Sequence, residues 1–156
     1  MSIEITIQSA DSSCGRPSDE TISAWIEAAG RATETVAGEL TIRFVDATEM
    51  RKLNHRWRQK DSATNVLSFE FDSPDFMPVT VLGDIVVCGT VVEEEASQFG
   101  VPVNARYAHM VVHGFLHLVG FDHLEPDDAL KMETLEASVL TTLGFDNPWR
   151  DEVMAS

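Results

Sequence analysis

The chain is poor in cysteine. Cys14 and Cys88 are its two cysteines, and they stand in no CxxC. That excludes a thiolate metal cluster and a disulfide framework, and reduced thiols in a cytoplasmic protein are the expectation. Long apolar runs are also lacking. No stretch approaches the ~18 uncharged apolar residues that a membrane span needs. The first ten residues, MSIEITIQSA, hold no basic segment followed by an apolar core, so no secretory signal is expected. Positive charge is scarce: 11 Lys and Arg face 26 Asp and Glu, a formal net charge of −15. Taken as a sum, that argues against a nucleic-acid partner.

Distribution changes the argument. Arg51, Lys52, Arg56, Arg58 and Lys60 place five of the eleven basic residues within ten positions. From Asp122 to Glu152 nine acidic residues accompany only Lys131 and Arg150. The molecule should be dipolar, with one basic patch on an acidic body. Charge alone allows a plainer reading, in which 51–60 is a solvated helix end.

With 156 residues, 44% apolar and 24% charged, the chain fits one domain, taken here as 1–156. Ile3, Ile5 and Ile7 alternate with polar residues and predict a strand. Residues 19–36 predict a helix, with Ile22, Trp25, Ile26 and Ala29 at helical spacing. Residues 40–45 predict a second strand. Asp46, with Glu49 three residues on, should cap a helix that carries the basic patch. Residues 64–72 and 79–88 predict two more strands, and the Gly83-Asp84 pair suggests a bulge, a ligand or a buried carboxylate. Residues 90–99 predict a short helix, with Glu93, Glu94 and Glu95 as its solvated face. Residues 104–119 are apolar on nearly all sides and predict a central buried helix. Pro126, Asp127 and Asp128 open a last helix, which Gly144 stops. The order predicts an α+β fold: a single mixed β-sheet of about four strands covered by helices, with the central buried helix carrying metal-binding histidines.

Those histidines lie in His113-Gly-Phe-Leu-His117-Leu-Val-Gly120-Phe-Asp-His123. A spacing of four stacks His113 and His117 on one helical face, with Cβ atoms ~5–6 Å apart. Two imidazoles so placed can reach one metal at ~2.0–2.1 Å each. Gly120 can adopt positive φ and turn the chain back, delivering His123 as a third ligand. Three imidazoles and an open fourth position describe a catalytic zinc site, where a coordinated water ionises near pH ~7. Chance placement of such a trio among five histidines is on the order of 0.5%, so the plainer reading of packed core histidines is the weaker one.

The spacing follows HExxHxxGxxH of metzincin peptidases, with one departure. Gly114 stands where the peptidase has its glutamate base, so ordinary peptide hydrolysis is not supported.

The chain closely resembles the YbeY endoribonucleases. Leu53-Asn54, Trp57-Arg58-Gln59-Lys60-Asp61, Thr64-Asn65-Val66-Leu67-Ser68-Phe69, Leu82-Gly83-Asp84-Ile85, Glu95-Ala96 and His113 to His123 match the family's blocks in order. Met132-Glu133, Glu136 and Leu143-Gly144 do so too. The match runs over roughly residues 40–149, and the first forty residues carry little of it. Trp57 and Phe121 stand where Tyr is usual, and Ser62-Ala63 where Pro is frequent. The resemblance implies one zinc ion on His113, His117 and His123 and cleavage of single-stranded RNA. It also implies work on the 3′ end of small-subunit (16S) rRNA and in late ribosome quality control, with ribosome or small-subunit assembly partners. A non-catalytic, zinc-stabilised ribosome assembly factor is the alternative.

Individual roles follow. Arg58 is the candidate partner of a phosphorane-like transition state, and the family carries Arg there. With His113 it forms the expected catalytic set. His109, one turn before His113, is a packed or supporting histidine. Asp84 and Asp122 are candidates to accept from the second ring nitrogen of a ligand histidine, and Asp122 could instead cap a turn. Arg56 and Lys60 would hold flanking phosphates. Trp57 and Phe69 could stack on an unpaired base, although core packing is the expectation for both.

Overall fold

The computed structural model describes residues 3–9, 15–35, 37–71, 74, 80–122 and 124–149. Along them run β1 (Ile3–Ser9), α1 (Asp19–Ala32), β2 (Gly38–Val45), α2 (Ala47–Arg58), β3 (Val66–Glu70), β4 (Val81–Cys88), α3 (Gly89–Phe99), α4 (Val103–Leu118) and α5 (Pro126–Thr142). The α+β expectation holds. One four-stranded sheet has the order β1-β2-β4-β3. β1, β2 and β4 are parallel, and β3 pairs antiparallel with β4 at one edge.

Alternation along the strands divides the apolar residues between two faces. Leu40, Ile42 and Phe44 of β2 and Ile85 and Val87 of β4 join the main core beneath α1 and α4. Val45, Val86, Cys88 and Leu67 point the other way, into a smaller core closed by Met50 of α2. α4 packs on α1, α3, α5, β3 and β4, which makes it the central helix its composition predicts.

The Gly83-Asp84 pair resolves as a bulge. Glu39 pairs with Val81 but Leu40 with Gly83, so Leu82 is an extra residue on β4. Gly83 has φ +142°, and a Cβ there would sit 2.1 Å from the Phe69 carbonyl oxygen. Asp84 is exposed on the opposite face from the histidines, beside Glu4, Glu39 and Thr41. It is neither a buried carboxylate nor a histidine partner.

Element ends follow local chemistry. Asp46 caps α2 by accepting from Glu49 N–H at 2.8 Å, while the Glu49 side chain pairs with Arg43. β3 begins two residues later than the alternation suggests, because the Asn65 side chain accepts from Val66 N–H at 2.7 Å. α1 ends at Ala32, and Thr33 turns its hydroxyl back onto the Ala29 carbonyl. The glutamate run of α3 is not a solvated face throughout. Glu93 accepts from the Tyr107 hydroxyl, and Glu95 accepts from Arg106 and Asn65. Among the described residues no helix is long and apolar enough to cross a membrane.

Candidate metal centre

α4 delivers two of the three histidines. It needs close contact with the sheet, and Gly114 provides it: a Cβ there would meet Ile85 Cγ2 at 2.9 Å and Ser68 Oγ at 3.2 Å. Ser68 ties the edge strand to the helix by donating to the Gly114 carbonyl at 3.0 Å. The position of the peptidase base therefore faces the core, with no room for a glutamate side chain.

One residue before that contact and three after it, His113 and His117 are half-buried, and their Nε2 atoms lie 3.1 Å apart. Each Nδ1 faces an oxygen. His113 Nδ1 lies 3.3 Å from Glu136 Oε1, and His117 Nδ1 lies 3.0 Å from the Phe121 carbonyl. A carbonyl can only accept, and so can an ionised carboxylate. Both rings therefore carry a proton on Nδ1, and each in its neutral form presents an Nε2 lone pair. Two such lone pairs at this distance repel unless a cation lies between them. Two nitrogens bound tetrahedrally to one zinc ion stand about 3.3 Å apart. The residues fit the ion.

Phe121 reaches its place because α4 ends in a Schellman turn. Gly120 takes φ +104°, Phe121 N–H donates to the Leu116 carbonyl and Gly120 N–H to the His117 carbonyl. The chain reversal expected of Gly120 is present. His123, the expected third ligand, lies outside the described residues, and among those described no group of three His, Cys, Asp or Glu forms a ligand set. Asp122 accepts from Leu124 N–H at 3.1 Å and so caps the turn, the second of the two roles open to it.

Behind His113 lies a group the sequence reading did not assign. Glu136 of α5 is only 1% exposed and is shared by two rings, with Oε2 2.5 Å from His109 Nε2. Burial alone would raise its pKa, but hydrogen bonds from His109 and His113 outweigh that and hold it at about 2. Burial pushes the His109 imidazole down, so that ring is neutral. Arg106 Nη1 lies 3.3 Å from His109 Nδ1, and its Nη2 donates to Glu95 at 3.0 Å. A signal was available: Glu136 sits four residues from both Met132 and Leu140, within a buried apolar stripe. A glutamate at such a place needs a partner.

The histidines open into a cleft of about 590 Å³, also lined by Asn54, Arg58, Lys60, Asn65 and Ser68. Arg58, the last residue of α2, donates to the Ser68 carbonyl at 3.1 Å and lies 5.7 Å from the Phe69 ring centroid. The structure thus brings Arg58 and Lys60 together with His113 and His117. Arg51 is occupied by Asp61 in a bidentate pair. Trp57 is 54% exposed, so the expectation that it packs in the core fails; it meets half-buried Phe69 edge-on at 6.1 Å. An indole at the exposed end of α2 has only a fraction of a helix face to bury against.

The fold and this site can be set beside known proteins. The solution structure of a Thermotoga maritima protein superposes with a TM-score of 0.59 and 25% identity, over 90% of this chain and 91% of that one. The family model described as Endoribonuclease YbeY matches residues 4–144. A Pseudomonas fluorescens protein named Endoribonuclease YbeY is 48% identical over 96% of this chain and 98% of its own. A Pseudomonas putida protein of the same name is 46% identical over 96% of this chain and 95% of its own. The chain belongs to the Endoribonuclease YbeY family. The likeness is not confined to residues 40–149, since the family match begins at residue 4.

Proposed function

We propose that this protein is a zinc-dependent endoribonuclease specific for single strands. It acts in maturation of the 3′ end of small-subunit (16S) rRNA and in late ribosome quality control. The observation that carries the reading is the convergence of the two Nε2 atoms in a cleft that also holds Arg58 and Lys60. Family membership supports the endonuclease class.

His113 and His117, with His123, would hold the ion. Zinc bound there supplies Lewis acidity toward a phosphodiester oxygen and makes a nucleophile accessible at neutral pH. Arg58 binds the scissile phosphate. Its guanidinium stays charged, offers two parallel donors, and gains most where negative charge grows in the transition state. Its bond to the Ser68 carbonyl and its place at the Phe69 ring fix its direction before substrate arrives. Lys60, just past α2, holds an adjacent phosphate. The half-buried histidines keep the reacting centre at the bottom of the cleft, so a flexible single strand enters more easily than a duplex.

The test is cleavage of an end-labelled single-stranded RNA by zinc-loaded protein, chelated protein and a His117→Ala variant from one purification. Cleavage in the first lane only is expected, and equal cleavage in all three points to a contaminating nuclease. A 2′,3′-cyclic phosphate on the products would assign the ribose 2′-OH as nucleophile.

A further inference from the structure

We propose that the buried series Arg106, His109 and Glu136 is a positioning relay that fixes the tautomer of His113 and so aims its Nε2 lone pair into the cleft. The inference rests on His113 as a metal-facing group, the reading just given, and goes beyond it by assigning residues that never touch the cleft's contents.

Donors and acceptors along the series fix where each proton sits. A guanidinium can only donate. Arg106 Nη1, 3.3 Å from His109 Nδ1, therefore makes that nitrogen an acceptor and puts the His109 proton on Nε2. His109 Nε2–H then donates to Glu136 Oε2 at 2.5 Å. The other carboxylate oxygen, Oε1, is left to accept from His113 Nδ1–H at 3.3 Å. With the Glu136 carboxyl ionised and the His113 ring neutral, one proton arrangement satisfies all three bonds. It ends with the lone pair of His113 on Nε2, the atom that faces His117 Nε2.

Geometry restrains the relay at every member. Arg106 is 9% exposed, His109 4% and Glu136 1%, so water does not compete for these atoms. Glu95 anchors the guanidinium through Nε and Nη2, and the Arg106 head lies 5.0 Å over the Phe99 ring. Trp149 packs edge-on to His109 at 5.3 Å and holds its ring plane. Glu95 also accepts from Asn65, which lines the cleft. The polar series thus leaves the cleft wall at Asn65, runs through Glu95 of α3, Arg106 and His109 of α4 and Glu136 of α5, and returns at His113. Two buried polar side chains on one turn of α4 and a third facing them from α5 would be a costly way to fill space if their only task were packing.

Glu136→Gln separates positioning from packing, because it keeps the shape. His109 still points Nε2–H at the new side chain and takes the amide oxygen. The amide nitrogen then faces His113 Nδ1 as a donor. His113 must respond by accepting on Nδ1 and moving its proton to Nε2, the wrong nitrogen for a metal.

The readout is two-bond ¹⁵N–¹H correlation spectra of histidine-labelled, metal-free protein at pH 8, together with zinc affinity by competition with a chromogenic chelator. Wild type should show His113 as the Nδ1–H tautomer. Glu136→Gln should show it as Nε2–H, with zinc affinity lower by about 10–100-fold. An Nε2–H tautomer for His113 in wild type would overturn the relay, and that result does not depend on the variant folding. An unchanged tautomer and affinity in a folded Glu136→Gln protein would overturn it equally. Wild type that binds no zinc yet shows the Nδ1–H tautomer, with inversion in the variant, keeps the relay and removes the metal reading instead.

Discussion

Single side chains at the cleft divide into those that meet substrate and those that make room. Arg58 is of the first kind, exposed and bound to the rest of the protein by one hydrogen bond to a carbonyl. Arg58→Ala should lower cleavage by about 10²–10³-fold, while stability by urea titration moves by no more than about 0.5 kcal/mol. A loss of activity matched by a loss of folding would remove Arg58 from the chemistry. Gly114 is of the second kind. Gly114→Glu, which restores the peptidase pattern, should confer no peptidase activity, because the new side chain enters the packed interface with Ile85 and Ser68. It should cost about 1–3 kcal/mol in the same titration. Wild-type stability together with peptide turnover would contradict the packing described here.

At the scale of elements, the site depends on how helices end. α4 carries His113 and His117 on its last two turns, and its Schellman turn brings the Phe121 carbonyl to His117. Among the described residues nothing lies within 4 Å of a Cβ at Gly120, and the conformational cost of Gly120→Ala is about 1–2 kcal/mol. That variant should also weaken zinc binding, measured by chelator competition, since the bond to His117 Nδ1 depends on the same turn. α2 places Arg58 through its other end. Asp46→Ala removes the N-cap bond to Glu49 and should cost about 1 kcal/mol, read from the urea midpoint. The cap was legible in the sequence as an Asp before a helical pattern. The end of α2 at Arg58, closed by Gln59 at φ 61°, was not, because a left-handed glutamine has no sequence signature.

For the whole molecule, charge and acid response are the properties to measure. With −15 overall and few basic residues in the cleft, RNA binding should be weak and sensitive to salt. Three phosphate contacts, from Arg56, Arg58 and Lys60, predict a log–log slope of about −2 for a single strand. A flat dependence in filter binding or anisotropy would mean that the basic cluster is not the RNA contact. The response to acid follows from the relay. The His109 imidazole is pushed down by burial, so the unfolded chain takes up that proton first, and stability starts to fall as pH drops below 6.5. The Glu136 carboxyl is held at about 2 against an ordinary 4.5, so its contribution is complete above 4.5 and is lost as pH falls from there toward 2. Thermal melts of metal-free wild type and Glu136→Gln between pH 8 and 3 should converge below 4.5. Parallel curves would show that Glu136 is not the ionised partner of these rings.

Local chemistry is what the sequence by itself determined. The alternation of Ile3, Ile5 and Ile7, the all-round apolar α4, the Asp46 cap, the Gly120 reversal and the four-residue step from His113 to His117 each depend on neighbours within one or two turns. Patterns of that reach survive in a linear string. Tertiary structure alone decided the rest. His113 Nδ1 meets Glu136, twenty-three residues away on another helix, while Asp84 lies exposed on the opposite face of the sheet and Asp122 caps its own turn. Glu93 and Glu95 of α3 are engaged because α4 lies beside them, and Trp57, on the last turn of α2, is left exposed. A buried polar group finds its partner across space, where separation along the chain carries no information about distance.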